Sequence, residues 1–180
     1  MRPSQKIIEE FKKAYDLKEY ESLNWTGNFN EYIEKIVKNP KVARSAYQRI
    51  YDMILSYGID EYVDSKKKVI HYKFFDDPVN NGKDAVYGLD IALMKLVNVF
   101  KSAAHRYGTE KRVLLLHGPV GSAKSTIVRL LKQGLEEYSK TNDGAQYTFS
   151  WISLGEHENR KTDEMQCPMN EDPLRLMPLD

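Results

Sequence analysis

Apolar residues recur along this chain in two rhythms, and the change from one to the other divides it. Ile7, Ile8, Phe11 and Tyr15 share one face of a short helix. Phe29, Tyr32, Ile33, Ile36 and Val37 follow the i, i+3, i+4, i+7, i+8 spacing of a buried helical stripe. Pro40 stops that helix, because it lacks an amide donor and turns Asn39 out of helical geometry. A further helix is predicted over 42–57 through Ala46, Ile50, Met53 and Ile54, with Gly58 where a left-handed cap is needed. Residues 60–68 are polar and aperiodic, which puts a boundary between a helical region, 1–64, and a second region, 65–180.

In the second region, 69–75 is rich in β-branched and aromatic residues and reads as a strand. Asp77-Pro78 and Asn81-Gly82 mark 76–84 as loop. A long helix follows, with Leu89, Leu93, Leu96, Val97, Phe100, Ala104 and Tyr107 on one face and Gly108 at its end. Residues 113–116 are a continuous apolar run, the mark of a strand covered on both faces in a parallel sheet. After a short loop, Ile127, Leu130, Leu131, Gly134, Leu135 and Tyr138 define another helix. Asn142-Asp143-Gly144 then turns the chain into Tyr147, Phe149 and Trp151, which alternate with polar residues as in a strand at a sheet edge. Strand, loop, helix and strand make a βαβ unit with a right-handed crossover.

The loop inside that unit carries the clearest chemistry. Gly118-Pro119-Val120-Gly121-Ser122-Ala123-Lys124-Ser125-Thr126 matches the phosphate-binding pattern G-x-x-x-x-G-K-S/T at every fixed position except Ala123, where glycine is usual. Gly118 lets the chain leave the strand sharply, and Gly121 lets backbone amides curl around a phosphate. The helix beginning near Lys124 aims its unpaired amides and the positive end of its dipole at the same point. Lys124 reaches the β- and γ-phosphates of ATP in such loops, the Ser125 hydroxyl ligates Mg2+, and Thr126 donates its amide. Ala123 is tolerable there if its φ is negative, and that is the expectation.

The loop and its flanks resemble the AAA+ domain of PrkA-type bacterial serine protein kinases. The resemblance runs through 112–131, Tyr138-Ser139 and 144–151. It extends to Trp25-Thr26-Gly27-Asn28-Phe29, to Val42-Ala43-Arg44-Ser45-Ala46-Tyr47-Gln48-Arg49, and to Cys167-Pro168-Met169-Asn170-Glu171-Asp172-Pro173-Leu174. It implies an α/β fold: a P-loop (AAA+) parallel sheet with flanking helices, incomplete here and preceded by the helical N-terminal region. It also implies that Tyr87, Gly88 and Leu89, followed by Asp90, stand where AAA+ proteins pack a short segment on adenine. For the full-length protein it implies Mg-ATP as cofactor, phosphoryl transfer to a serine of a protein substrate, and possible assembly into a homo-oligomeric ring. Two alternatives stay open: a remodelling or protease-like AAA+ ATPase, and a non-catalytic interaction fragment.

A phosphate cradle alone does not catalyse, because phosphoryl transfer also needs a carboxylate on a neighbouring strand and a group that orients the nucleophile. No four-residue apolar run ending in Asp-Glu occurs, and Glu156, Glu158 and Asp180 lie in unsuitable contexts. The expectation is therefore an N-terminal part of the domain, cut before its Walker B strand and inactive alone, with catalytic residues unassigned.

Composition narrows the setting. With 41% hydrophobic residues the chain can build a core. No run approaches the roughly 18 apolar residues of a membrane span. The single cysteine, Cys167, excludes an internal disulfide and fits a reducing, cytoplasmic compartment. Net charge +1 argues against a nucleic-acid coat. The charge is uneven, however: residues 101–140 hold eight bases and three acids, whereas 151–180 hold three bases and seven acids, a pattern open to a local anion site but, on charge alone, first of all a solvated mixed-charge surface. His71, His105, His117 and His157 have no metal-ligand spacing, and His117 reads as a packed residue at a strand end.

Overall fold

The computed structural model describes residues 24–152 and 164–178. Two compact units divide the chain: one is Arg44–Ser139, the other joins the chain up to Ala43 with Lys140 onward. The predicted Ile7–Tyr15 face lies outside the described residues, as do Glu156, His157, Glu158 and Asp180.

In the unit containing the N-terminal chain, helix α1 spans Phe29–Lys38. Asn28 and Glu31 start it reciprocally, each side chain accepting from the other's amide at 3.0 Å. Pro40 opens a short 3-10 turn, Pro40–Ala43, where the helix was expected to stop. The expected buried stripe is only partly covered. Tyr32 is buried, but Val37 is 76% exposed. Tyr32 donates its hydroxyl to Asp172 Oδ1 at 2.9 Å and packs edge-on to Tyr147.

The Arg44–Ser139 unit begins with helix α2, Ala46–Ser56, capped by the same reciprocal device between Ser45 and Gln48. Gly58 follows with φ 91°, the expected left-handed residue. Strands β1, Ile59–Asp64, and β2, Lys67–Tyr72, pair antiparallel with Asp60 opposite His71 and Tyr62 opposite Val69. Ser65 and Lys66 both have positive φ, 49° and 63°, as a tight two-residue hairpin turn needs. All of β1 is exposed, so it has no apolar alternation to betray it, and the polar stretch expected to lack structure is a strand. The strand expected over 69–75 stops at Tyr72, and Lys73–Asp76 is a 3-10 turn that buries Phe74 and Phe75.

Helix α3, Asp90–Ala104, buries Leu93, Leu96, Val97 and Phe100. It ends before the expected Tyr107, because Arg106 and Gly108 take left-handed conformations at φ 58° and 89°, leaving Tyr107 exposed. Helix α4, Lys124–Ser139, buries Ile127, Leu130, Gly134 and Tyr138. Met53, Phe74, Phe75, Val97, Ile127 and Leu130 belong to one core cluster that joins α2, the 3-10 turn, α3 and α4.

The described residues hold two small antiparallel sheets, β1–β2 and the pairing of β3, Ser150–Ile152, with β4, Glu164–Gln166. The strand read over 146–151 is thus confined to its end. Residues 113–116 carry no ladder among the described residues, and Val113 and Leu115 are exposed rather than covered on both faces. A central strand needs hydrogen-bonding neighbours on both edges, and none of the described strands supplies them. No helix among the described residues is long and apolar enough to cross a membrane.

Candidate functional site

The predicted phosphate loop is a bend that leads directly into α4, whose first residue is Lys124. The Lys124 ammonium folds back into this bend, donating to Gly118 O at 2.9 Å, Pro119 O at 2.6 Å and Ser122 Oγ at 2.9 Å. Ser122 Oγ in turn donates to Pro119 O at 2.8 Å. A methyl group on Gly118 would come within 2.8 Å of that hydroxyl, whereas one on Gly121 would meet open space. Gly121 has φ 82°, a left-handed conformation that glycine adopts without strain.

Ala123 departs from expectation. Its φ is 54°, in the left-handed region, not the negative value inferred from its helix-start position. Its carbonyl accepts the first helical bond, from Ile127 N at 2.8 Å, so it occupies the N-cap position. Alanine has no side-chain acceptor there, so the first-turn amides of Ser125 and Thr126 lack the usual cap. Ser125 is exposed and Val120 fully so. His117, expected to be packed, is exposed as well.

A neutral, exposed Ser125 hydroxyl suits a magnesium ion already carried by phosphates and is insufficient to hold one alone. Among the described residues no cluster of three or more His, Cys, Asp or Glu side chains forms a metal site.

Tyr87, Gly88 and Leu89 precede α3. Tyr87 is 77% exposed, Gly88 has φ 72°, and Leu89 packs against the core cluster. Asp90, the first residue of α3, accepts a bond from Tyr62 OH at 2.8 Å and faces His71 Nδ1 at 2.8 Å. His71 Nε2 faces Asp76 Oδ2 at 2.9 Å. Hydrogen bonds accepted from its ring by Asp90 and then Asp76 raise the His71 pKa above 6.5, against the opposing effect of burial. Burial acts to raise the Asp90 pKa, but the bonds from His71 and Tyr62 outweigh it and leave it below 3.8.

The 76–84 loop is organised by buried Asp77, at φ 54°. Its carboxylate accepts from Asn80 N at 3.3 Å, Asn80 Nδ2 at 3.0 Å and Asp84 N at 2.9 Å. Asn80 also donates to Gln133 Oε1 at 3.3 Å, and Asp84 pairs with Arg129, both partners lying on α4. The sequence marks 76–84 as loop without revealing this carboxylate-centred order. Its signal was Asp-Pro followed by Asn-Asn-Gly, side chains that bond their own backbone and tolerate positive φ.

In the other unit, a cleft of about 790 Å3 is lined by Trp25, Phe29, Tyr147 and Trp151 and contains no residue of the phosphate loop. Cys167 is buried, its amide donating to Phe149 O at 3.0 Å.

The profile of the PrkA AAA domain family matches residues 27–180. A Bacillus subtilis protein named ATP-dependent protease PrkA is 42% identical over 161 residues, covering 89% of this chain and 21% of the relative. An uncharacterized protein in the gldA 5′ region of Geobacillus stearothermophilus is 36% identical over 108 residues, covering 59% of this chain and 98% of the relative. The chain thus spans about a fifth of the length of the Bacillus relative. No solved structure gives a significant match.

Proposed function

Because the chain belongs to the PrkA AAA domain family, we propose that it binds Mg-ATP through Gly118–Thr126 and forms the nucleotide-holding part of an AAA+ ATPase. The observation that carries this reading is the Lys124 ammonium curled inside the bend, on two carbonyls and a hydroxyl. These are neutral acceptors. A triphosphate presents charged oxygens, which attract an ammonium by a Coulomb force that neutral carbonyl and hydroxyl oxygens lack, so it can displace them. Lys124 would then bridge the β- and γ-phosphates while the amides of Gly121 to Thr126 surround them. Ser125 would complete the magnesium shell, and Tyr87, Gly88 and Leu89 would lie against adenine.

Addition of Mg-ATP should raise the thermal stability of the chain, since a ligand that binds only the folded state stabilises it. Lys124→Ala should abolish that rise while leaving the unliganded melting temperature within a few degrees. An equal rise in both proteins would remove the loop from the binding site.

For the whole protein, the favoured reading is ATP hydrolysis coupled to work on a protein substrate, within a ring of like subunits in the cytoplasm. The name of the Bacillus relative, an ATP-dependent protease, supports it. Transfer of the γ-phosphate to a protein serine, implied by the kinase resemblance, is the second reading. Label from γ-labelled ATP distinguishes them: release as inorganic phosphate supports the first, and stable phosphoserine on a protein other than the enzyme supports the second.

A further inference from the structure

His71 lies between two carboxylates on different elements, Asp76 at the end of the 3-10 turn and Asp90 at the start of α3. A neutral imidazole has one N–H and one lone pair, and only the imidazolium donates from both nitrogens. The bridge at 2.8 and 2.9 Å therefore calls for the charged ring when both acids are ionised. The other groups around it come from β1. Tyr62 reaches Asp90, and Asp60, opposite His71 in register, pairs with Lys73 at 3.0 Å.

Both ends of the bridge lead to the nucleotide loop's surroundings. Asp90 directly follows Tyr87, Gly88 and Leu89. Asp76 directly precedes Asp77, which orders the loop whose Asn80 and Asp84 hold Gln133 and Arg129 of α4. α4 is the helix that Lys124 opens.

We propose that His71 is a positioning residue for nucleotide binding: its imidazolium fixes the start of α3 to the turn that grips α4, and loss of its proton loosens the adenine-side segment. This rests on the ATP-binding reading above. Once neutral, the ring keeps one donor, its lone pair meets carboxylate oxygens, and one arm of the bridge releases. Replacing Asp76 by Asn removes the need for the proton, because the amide Nδ2–H can donate to the unprotonated ring nitrogen.

Affinity for a fluorescent ATP analogue, measured with Mg2+ from pH 6 to pH 9 on wild type and Asp76→Asn, tests this. Their ratio cancels the titration of the nucleotide itself. The wild-type advantage should fall about fivefold or more across the range, in step with the His71 ring signal followed by nitrogen NMR. A flat ratio, or a His71 ring already neutral at pH 6, overturns the proposal and leaves ATP binding standing. Absence of binding by wild type at every pH overturns the ATP reading and the proposal together. Should Asp76→Asn not fold, His71→Gln serves: its affinity should lie below wild type at pH 6 and meet it at pH 9, and a constant gap overturns the proposal.

Discussion

Arg129 meets Asp84 as a fork, Nε donating to Oδ2 at 2.9 Å and Nη2 to Oδ1 at 2.6 Å. The pair joins helix α4 to a turn of otherwise irregular chain. The guanidinium is half exposed, and solvent screens such a pair. Arg129→Lys keeps the charge but loses the paired donors. It should cost no more than about 1 kcal/mol in urea unfolding. A larger loss would mean that solvent screens the pair less than its exposure implies.

Ala123→Gly should stabilise the chain. A side chain in the left-handed region costs roughly 1–2 kcal/mol, and the extra freedom of glycine in the unfolded chain takes back about 0.4–1 kcal/mol. The net gain at φ 54° should be about 0.5–1 kcal/mol. Unfolding midpoints of the two proteins decide it. An unchanged or lower midpoint would mean that Ala123 is unstrained.

The same residue shows how far the sequence was legible. The motif put the start of the helix near Lys124, where α4 does begin, since its glycines, lysine and hydroxyl each carry a local requirement. It did not disclose the sign of φ at Ala123, which the whole bend sets. Helices α1 to α4 were readable because their apolar faces repeat every 3.6 residues. Strand β1 was hidden because both its faces are wet, so cross-strand pairing alone defines it. The bridge at His71 was hidden for a related reason: its partners lie 5 and 19 residues away, and only the hairpin and the start of α3 bring them together. The two-faced strand expected at 113–116 depends on neighbours that local sequence cannot name.

Gly134→Ala tests the packing of α4. A methyl group there would sit 2.4 Å from Phe74 Cε2 and 2.8 Å from Met53 Sδ, both in the core cluster. Alanine gains helix propensity of about 1 kcal/mol, and overpacking costs roughly 1–3 kcal/mol. The collision is with a buried ring that has little room to turn, so the loss should prevail, leaving a net destabilisation of about 1 kcal/mol. An increase in unfolding free energy would show that Phe74 moves aside freely.

The His71 bridge also fixes the sign of the pH dependence of folding. His71 has its pKa raised above 6.5 in the folded chain, so its contribution is complete below pH 6.5 and disappears as pH rises through the folded value. Asp90 has its pKa lowered below 3.8, so its contribution is present above pH 3.8 and is lost as pH falls through the folded value. Together they give a plateau between these limits, with a decline on each side. His71→Gln removes the alkaline decline that belongs to this group while lowering the plateau. Urea unfolding at intervals from pH 3 to pH 9, on wild type and His71→Gln, measures both. If the difference between the two proteins were constant from pH 6 to pH 9, the ring would not be titrating between its carboxylates.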